Sequence, residues 1–206
     1  MAHSVISISR SLAAGGEQIG RIVAESLGLR YADEEIVARA ADRAGVSPEV
    51  VERAEQTPGL VTRIIESMAS APGGLEGLPP YAVVPVARSA TYLTLIEQVI
   101  RETALEGSVV IVAHGASIAL AGTDGLLRVL VTASPVVRAQ RLARDARLDG
   151  QKAEKAIEDS DRQRREYLRR FYDVSQELPT HYDLVVNTDA MTLPQAAQLV
   201  LMAARA

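Results

Sequence analysis

Short strand-like runs alternate with helix-like segments along this chain, and few folds accept that order. Val5-Ile6-Ser7-Ile8-Ser9, Val109-Val110-Ile111-Val112, Val129-Leu130-Val131-Thr132 and Leu184-Val185-Val186-Asn187 are rich in β-branched residues and too short for helices, and Leu29-Arg30-Tyr31 is a plausible further strand. Val109 to Val112 is apolar throughout, as suits a strand buried on both faces. After the first run, Ile19, Ile22, Val23, Ser26 and Leu27 recur at helical spacing until Gly28. Asp33 stands where a helix of roughly Glu34 to Ala44 begins, and Ser47-Pro48-Glu49 opens another. Arg88 to Glu106 has helical character, Ser134-Pro135 pairs a capping residue with a first-turn proline, and an Ala- and Leu-rich helix starts at about Pro194. This order predicts an α/β fold of three layers, α/β/α, around a mostly parallel five-stranded sheet.

The 206 residues suffice for one sizeable domain, 1–206, and are short for two independent ones. Between Thr57 and Pro85, eight prolines and glycines surround one amphipathic segment, Leu60 to Met68, which predicts a mobile insertion at 57–85. The chain has no cysteine, so disulfides, thiolate zinc sites and a cysteine nucleophile are excluded. A net charge of −4 gives no whole-chain reason to bind nucleic acid or an anionic membrane, and one Phe with no Trp argues against stacking platforms for bases. No run approaches the roughly 20 apolar residues of a spanning helix, and Met1 to Arg10 lacks signal-peptide character; a cytoplasmic protein is the expectation. The stretch Arg138 to Arg170 holds eleven Lys and Arg against seven Asp and Glu, a local +4 suited to clamping a polyanion or to a solvated helical face.

The first loop follows a strand and opens a helix, which gathers unpaired amides and the positive helix end at one spot. A full phosphate-binding loop has the pattern G-x-x-x-x-G-K-[ST], whereas this chain has Arg10-Ser11-Leu12-Ala13-Ala14-Gly15-Gly16-Glu17-Gln18. Gly16 takes the lysine position and no Ser or Thr follows. Taken alone, the loop suits either phosphate or a structural tight turn.

Ile6-Ser7-Ile8-Ser9-Arg10, Gly15-Gly16-Glu17-Gln18-Ile19 and Leu27 to Ile36 together resemble the opening of the cytidylate-kinase-like nucleoside-monophosphate kinases, and the likeness resumes at Val109 to Leu120 and Ala133 to Asn187. The resemblance implies a P-loop kinase-like fold with a helical lid, about 138–172, and an acceptor-lobe insertion. It implies ATP phosphates bound at Arg10, Ser11, Ala13, Ala14, Gly15, Gly16, Glu17 and Gln18, with Mg2+ held mainly through those phosphates, no metal cluster in the protein, and Arg138 also on the cofactor. Arg10 would supply part of the missing lysine charge, while Glu17 would repel a triphosphate. Asp33 matches an acidic position near the acceptor, where it would orient the acceptor or hold a magnesium-bound water, or else cap a helix. His114 stands where the family segment usually has arginine; it would donate to phosphate or titrate near neutrality, or simply pack. Arg141, Arg162 and Arg165 would act in catalysis and Arg169 at the acceptor, since 138/141 and 162/165/169 each share a helical face; Asp161 would orient Arg162 or Arg165. Arg88 would reach an acceptor phosphate.

The function so implied is transfer of the ATP γ-phosphoryl group to a nucleoside monophosphate of the CMP, dCMP or UMP type. Two alternatives stand beside it: a nucleotide-binding or sensory protein without turnover, and a kinase of a non-nucleotide metabolite. Expected partners are small-molecule nucleotides, with neither nucleic acid nor membrane, and a homodimer through the apolar Val84 to Ile100 segment.

Overall fold

The computed structural model describes residues 3–56 and 86–206. Five strands form one parallel sheet in the order β2-β3-β1-β4-β5, with β1 Val5–Arg10, β2 Arg30–Ala32, β3 Val109–Val112, β4 Leu126–Thr132 and β5 Leu184–Asn187. The helices are α1 Gly16–Leu27, α2 Glu34–Ala44, α3 Pro48–Gln56, α4 Val86–Leu105, α5 Ala116–Ala119, α6 Pro135–Ala146, α7 Gly150–Tyr172 and α8 Leu193–Arg205. The chain divides into two compact units, Met1–Asp33 with Ile100–Ala206, and Glu34–Val99. The first carries the whole sheet. The second comprises α2 and α3, packed on each other, and most of α4. The expected insertion at 57–85 and the side chain of Arg88 lie outside the described residues. Among the described residues no helix is long and apolar enough to cross a membrane.

Strand alternation sorts the side chains of β1 between two faces. Ile6 and Ile8 join Val110, Val112, Leu127, Val129 and Val131 on the face covered by α1 and α8, where Ile19, Val23, Ala197 and Val200 complete the core. Each such Val or Ile, fully buried, stabilises the fold by about 1.5–3 kcal/mol relative to exposure. On the opposite face α5 packs against β1, and the Ser117 hydroxyl meets Ser7 at 2.9 Å and Ser9 at 3.2 Å. Three buried hydroxyls thereby satisfy one another inside the sheet layer.

Several boundaries differ from the sequence-based expectation for local reasons. β2 begins at Arg30 because the Leu29 amide donates to Ala24 at 2.8 Å behind the left-handed Gly28, which keeps Leu29 in the helix cap. β4 begins at Leu126, three residues early, because it pairs with all of β1. Arg128 is tolerated within it by a bidentate contact to Asp183, at 3.1 and 2.6 Å. Ser134 caps α6 as expected, accepting from Val137 at 3.4 Å. The four-residue α5 has no signal in the sequence.

The arginine-rich region is a hairpin of α6 and α7. Ala139, Ala153 and Ile157 form its core, with Leu12 and Ala13 of the first loop packed against it. Arg138 is 3% exposed, gives Nε to the Ala133 carbonyl at 3.0 Å, and holds both Asp161 oxygens at 2.8 and 2.6 Å. Asp161 therefore orients Arg138 and not Arg162 or Arg165, contrary to the expectation. The far half of α7 is tied to the segment before β5: Arg164 forks onto Glu177 at 2.8 and 2.6 Å, Tyr182 donates to the same carboxylate, and the Ser9 hydroxyl lies beside Tyr182.

Two outcomes are expected. Asp161→Asn leaves a buried guanidinium without its counter-charge and should lower unfolding free energy by about 2–3 kcal/mol, the smaller end for a buried pair because Asp161 keeps some solvent; urea titration reads this directly. Burial alone would raise the Glu177 carboxyl, but the hydrogen bonds and charge of Arg164, with the Tyr182 hydroxyl, hold it below its ordinary range. Its stabilising contribution is thus complete above the ordinary carboxylate range and disappears as pH falls through the depressed value. Glu177→Gln should be less stable than wild type at neutral pH, with the gap closing in thermal melts as pH falls below the ordinary carboxylate range; a gap independent of pH would assign Glu177 to packing alone.

Candidate functional site

The loop between β1 and α1 is fixed from several sides. The Ser11 amide continues the β1–β4 ladder onto Val131 at 3.0 Å, and the Ser11 and Thr132 hydroxyls lie 3.3 Å apart. Ala13 takes a left-handed φ of 60° and Gly15 one of 90°. Gly15 opens α1 with no side-chain cap, so the positive helix start is left for an anion. Thr188, fully buried just past β5, lies 2.9 Å from the Ala14 carbonyl and 3.3 Å from that of Thr132. Arg141 holds Thr188 in turn, donating to its hydroxyl at 2.9 Å and to its carbonyl at 2.6 Å.

Gly16 is dictated by Arg10. A Cβ at position 16 would fall 2.5 Å from the Arg10 Cβ, so the backbone here accepts only glycine at the lysine position. Arg10 forms an ion pair with Glu17, each side chain about one-third exposed. Beside this pair opens a cleft of about 210 Å3, walled by Gly15, Glu17 and Gln18, by Arg141 and Arg144 of α6, and by Met191 and Leu193 before and within α8.

At the neighbouring strand ends, Asp33 follows β2 and His114 follows β3. Asp33 Oδ2 accepts from the Tyr31 hydroxyl at 3.0 Å, and Oδ1 lies 3.4 Å from His114 Nε2. Burial would raise the Asp33 carboxyl, but the neighbouring His114, the Tyr31 donor and the charge of Arg10 hold it below the usual range. Burial and Asp33 push the Tyr31 hydroxyl well up, and the Arg21 guanidinium lies over its ring at 4.5 Å. His114 sits in a left-handed turn, with Ala113, His114 and Gly115 at φ of 67°, 53° and 71°. The first two are strained conformations for residues with a Cβ, which persist only where the surroundings impose them. Here α7 imposes them: the Tyr167 and Tyr172 hydroxyls donate to the His114 carbonyl at 3.3 and 3.5 Å, and a Cβ at Gly115 would strike the Tyr172 ring at 2.6 Å.

The structure thus gathers Arg10, Glu17, Asp33 and His114 at one edge and Arg141 beneath the loop. Arg138, expected at the cofactor, is instead spent on the α6–α7 hairpin. Arg162 pairs with Asp159 at 2.6 Å, and Arg162, Arg165 and Arg169 are all exposed on α7. Thr188, Tyr167 and Tyr172 belong to the site's frame and carry no sequence signal beyond their place near a strand end or in an amphipathic helix. Among the described residues no three or more His, Asp or Glu cluster in a way that would hold a metal ion.

The fold is that of P-loop kinases. A protein described as uncharacterized from Eubacterium ventriosum ATCC 27560 superposes with a TM-score of 0.66 at 13% identity, covering 97% of each chain. Shikimate kinase from Bacteroides thetaiotaomicron gives a TM-score of 0.53 at 15% identity with 98% of each chain covered. Shikimate kinase from Acinetobacter baumannii in complex with shikimate gives 0.52 at 15% identity, over 98% of this chain and 92% of that one. At such identities the likeness carries the fold alone. Among curated proteins none matches the sequence. Residues 5–190 match the cytidylate kinase-like family, a span that takes in all five strands, the first loop and both arginine-bearing helices; the chain belongs to the cytidylate kinase-like family.

Proposed function

We propose that this chain is an ATP-dependent phosphotransferase acting on a small acceptor. The observation that carries the reading is the uncapped start of α1, opening beside Arg10 and onto a cleft lined by Arg141 and Arg144. The loop amides would receive the ATP phosphates, and Arg10 would supply the cation that a loop lysine supplies elsewhere. Phosphoryl transfer needs positioned charge more than a protein nucleophile, so this equipment suffices in kind. With Glu17 in place of Ser or Thr and no carboxylate cluster among the described residues, magnesium would arrive with the nucleotide and neutralise its phosphates. The family resemblance points to a nucleoside monophosphate as acceptor, with Arg162, Arg165 and Arg169 of α7 as cations for its phosphate.

A second reading, nucleotide binding without turnover, is favoured by the Arg10–Glu17 ion pair, because a carboxylate in the first turn competes with phosphate for both the helix end and Arg10. The two readings separate in one experiment, in which ATP, Mg2+ and CMP, dCMP or UMP are incubated with the protein and ADP and new diphosphates are quantified. On the phosphotransferase reading ADP accumulates and Arg10→Ala slows it by about 100-fold, as loss of a cation on developing charge does. Binding of an ATP analogue with no ADP at single-turnover enzyme levels supports the second. Under either, Glu17→Gln should tighten nucleotide binding about 2- to 5-fold, from the ~0.3–1 kcal/mol a charge at a helix start is worth.

A further inference from the structure

Arg10, Arg141 and Arg144, which stand at the loop and its cleft, are each engaged by the protein. Arg10 is paired with Glu17 and lends its charge to Asp33, Arg144 gives Nε to Asp145 at 2.8 Å, and Arg141 spends Nη1 and Nη2 on the Thr188 hydroxyl and carbonyl at 2.9 and 2.6 Å. The carboxylates of Glu17, Asp33 and Asp145 equal these guanidiniums in number, so together they offer a triphosphate no net positive charge. The amides at the start of α1 add only about half a charge. A nucleotide with three phosphates therefore needs a cation that comes with it. Glu17 is placed to meet that cation. It stands in the first turn of α1, lines the cleft and is one-third exposed, whereas Asp33 has its two oxygens turned to Tyr31 and His114. In the pattern G-x-x-x-x-G-K-[ST] the position of Glu17 is the one whose hydroxyl holds magnesium, and a carboxylate is a stronger ligand for that ion. Its present partner is exchangeable: although the two groups touch, Arg10 Nε is buried with no acceptor in line, and a partly solvated ion pair is worth little.

We infer that Glu17 is the protein's oxygen ligand for the divalent cation of a metal–nucleotide complex, released to it from Arg10 when phosphate takes the guanidinium. The inference rests on the loop receiving nucleotide phosphates, and it names what the site takes: the nucleotide with its metal, and not the nucleotide alone. The charges balance in the exchange. Before binding, Arg10 neutralises Glu17. After it, Arg10 faces a phosphate oxygen and Glu17 faces the cation that other phosphate oxygens hold, so the carboxylate that repels a bare triphosphate becomes a bridge to a metal-bearing one. Glu17 thereby acts in opposite directions on two forms of one ligand. The tightening expected of Glu17→Gln belongs to the nucleotide without metal, toward which the carboxylate only competes.

The test titrates the full chain, as wild type and as Glu17→Gln, with a fluorescent non-hydrolysable ATP analogue, once in EDTA and once in excess Mg2+. Wild type should bind tighter with Mg2+. In EDTA Glu17→Gln should bind about 2- to 5-fold tighter than wild type. In Mg2+ it should bind more weakly than wild type, with the gain that Mg2+ brings reduced by about 10-fold or more. The metal itself is read from the EPR signal of Mn2+: wild type with the analogue should hold Mn2+ more tightly than the analogue alone does, and Glu17→Gln should abolish the difference. Tighter binding by Glu17→Gln in Mg2+ as well, or an unchanged hold on Mn2+, overturns the ligand role and leaves Glu17 a competitor of phosphate. Wild-type affinity indifferent to Mg2+ overturns the inference while nucleotide binding stands. No binding in either condition removes the nucleotide reading and this inference together. Turnover plays no part in these outcomes, so a chain that binds the metal–nucleotide complex and forms no ADP sinks the phosphotransferase reading alone.

Discussion

Parallel pairing of β1 with β3 on one side and β4 on the other decides where chemistry is possible in this chain. The registers set Ile8 against Val112 and Ala32 against Ile111. Arg10 lies two residues beyond Ile8, His114 two beyond Val112 and Asp33 one beyond Ala32, so three polar side chains leave three neighbouring strands at nearly one level. At the carboxyl ends the loops also carry helix starts, whose free amides add positive charge, and the strand order reverses around β1, which opens the crevice into which a ligand fits.

Within that crevice the loop resolves a steric and an electrostatic problem together. Lysine at position 16 and the observed backbone path exclude each other, because its Cβ would lie 2.5 Å from that of Arg10. The chain instead has its cation six residues earlier, at the end of β1, and leaves the helix start without a side-chain cap. The consequence is that the guanidinium has a neighbour, Glu17, within ion-pair reach whenever phosphate is absent. A lysine-bearing loop without such a carboxylate holds its charge ready, whereas here a phosphate would have to displace an internal anion. Both side chains are only partly buried, so the exchange involves solvated groups and a modest penalty.

The fold was legible because the features that specify it are local. Val109 to Val112 is apolar on both faces and is buried on both, and Ser134 with Pro135 starts a helix by chemistry contained in four residues. The site was legible only in part. Arg10, Glu17 and the paired glycines announce themselves by position in a strand-loop-helix, and Asp33 and His114 by likeness to a family pattern. Nothing local says that Asp161 chooses Arg138 over its helical neighbours: that choice is made when α6 buries Arg138 at 3% exposure and its charge needs the nearest anion. Thr188 is unremarkable in sequence and becomes a bracket only because β5 ends beside Ala14 and Thr132. The left-handed turn at Ala113 and His114 is likewise a product of Tyr167 and Tyr172, residues more than fifty positions away.

These same contacts bear on how α7 can move. Along it, Asp161, Arg164, Tyr167 and Tyr172 are tied respectively to α6, to Glu177 and to the His114 carbonyl. Arg162, Arg165 and Arg169 stand between those anchors on a continuous helix, so they are held in place by their neighbours' bonds and not carried on a free arm. Swinging them as a lid would break two bidentate arginine–carboxylate pairs and release a strained turn at once. The part of the hairpin without such ties is its tip, where Arg147 turns in a left-handed conformation and Asp149 starts α7 by accepting from Gln151 and Lys152. Closure over a bound nucleotide would therefore bend the hairpin near that tip, with Arg141 and Arg144 at the cleft wall, while the far half of α7 keeps His114 fixed against Asp33.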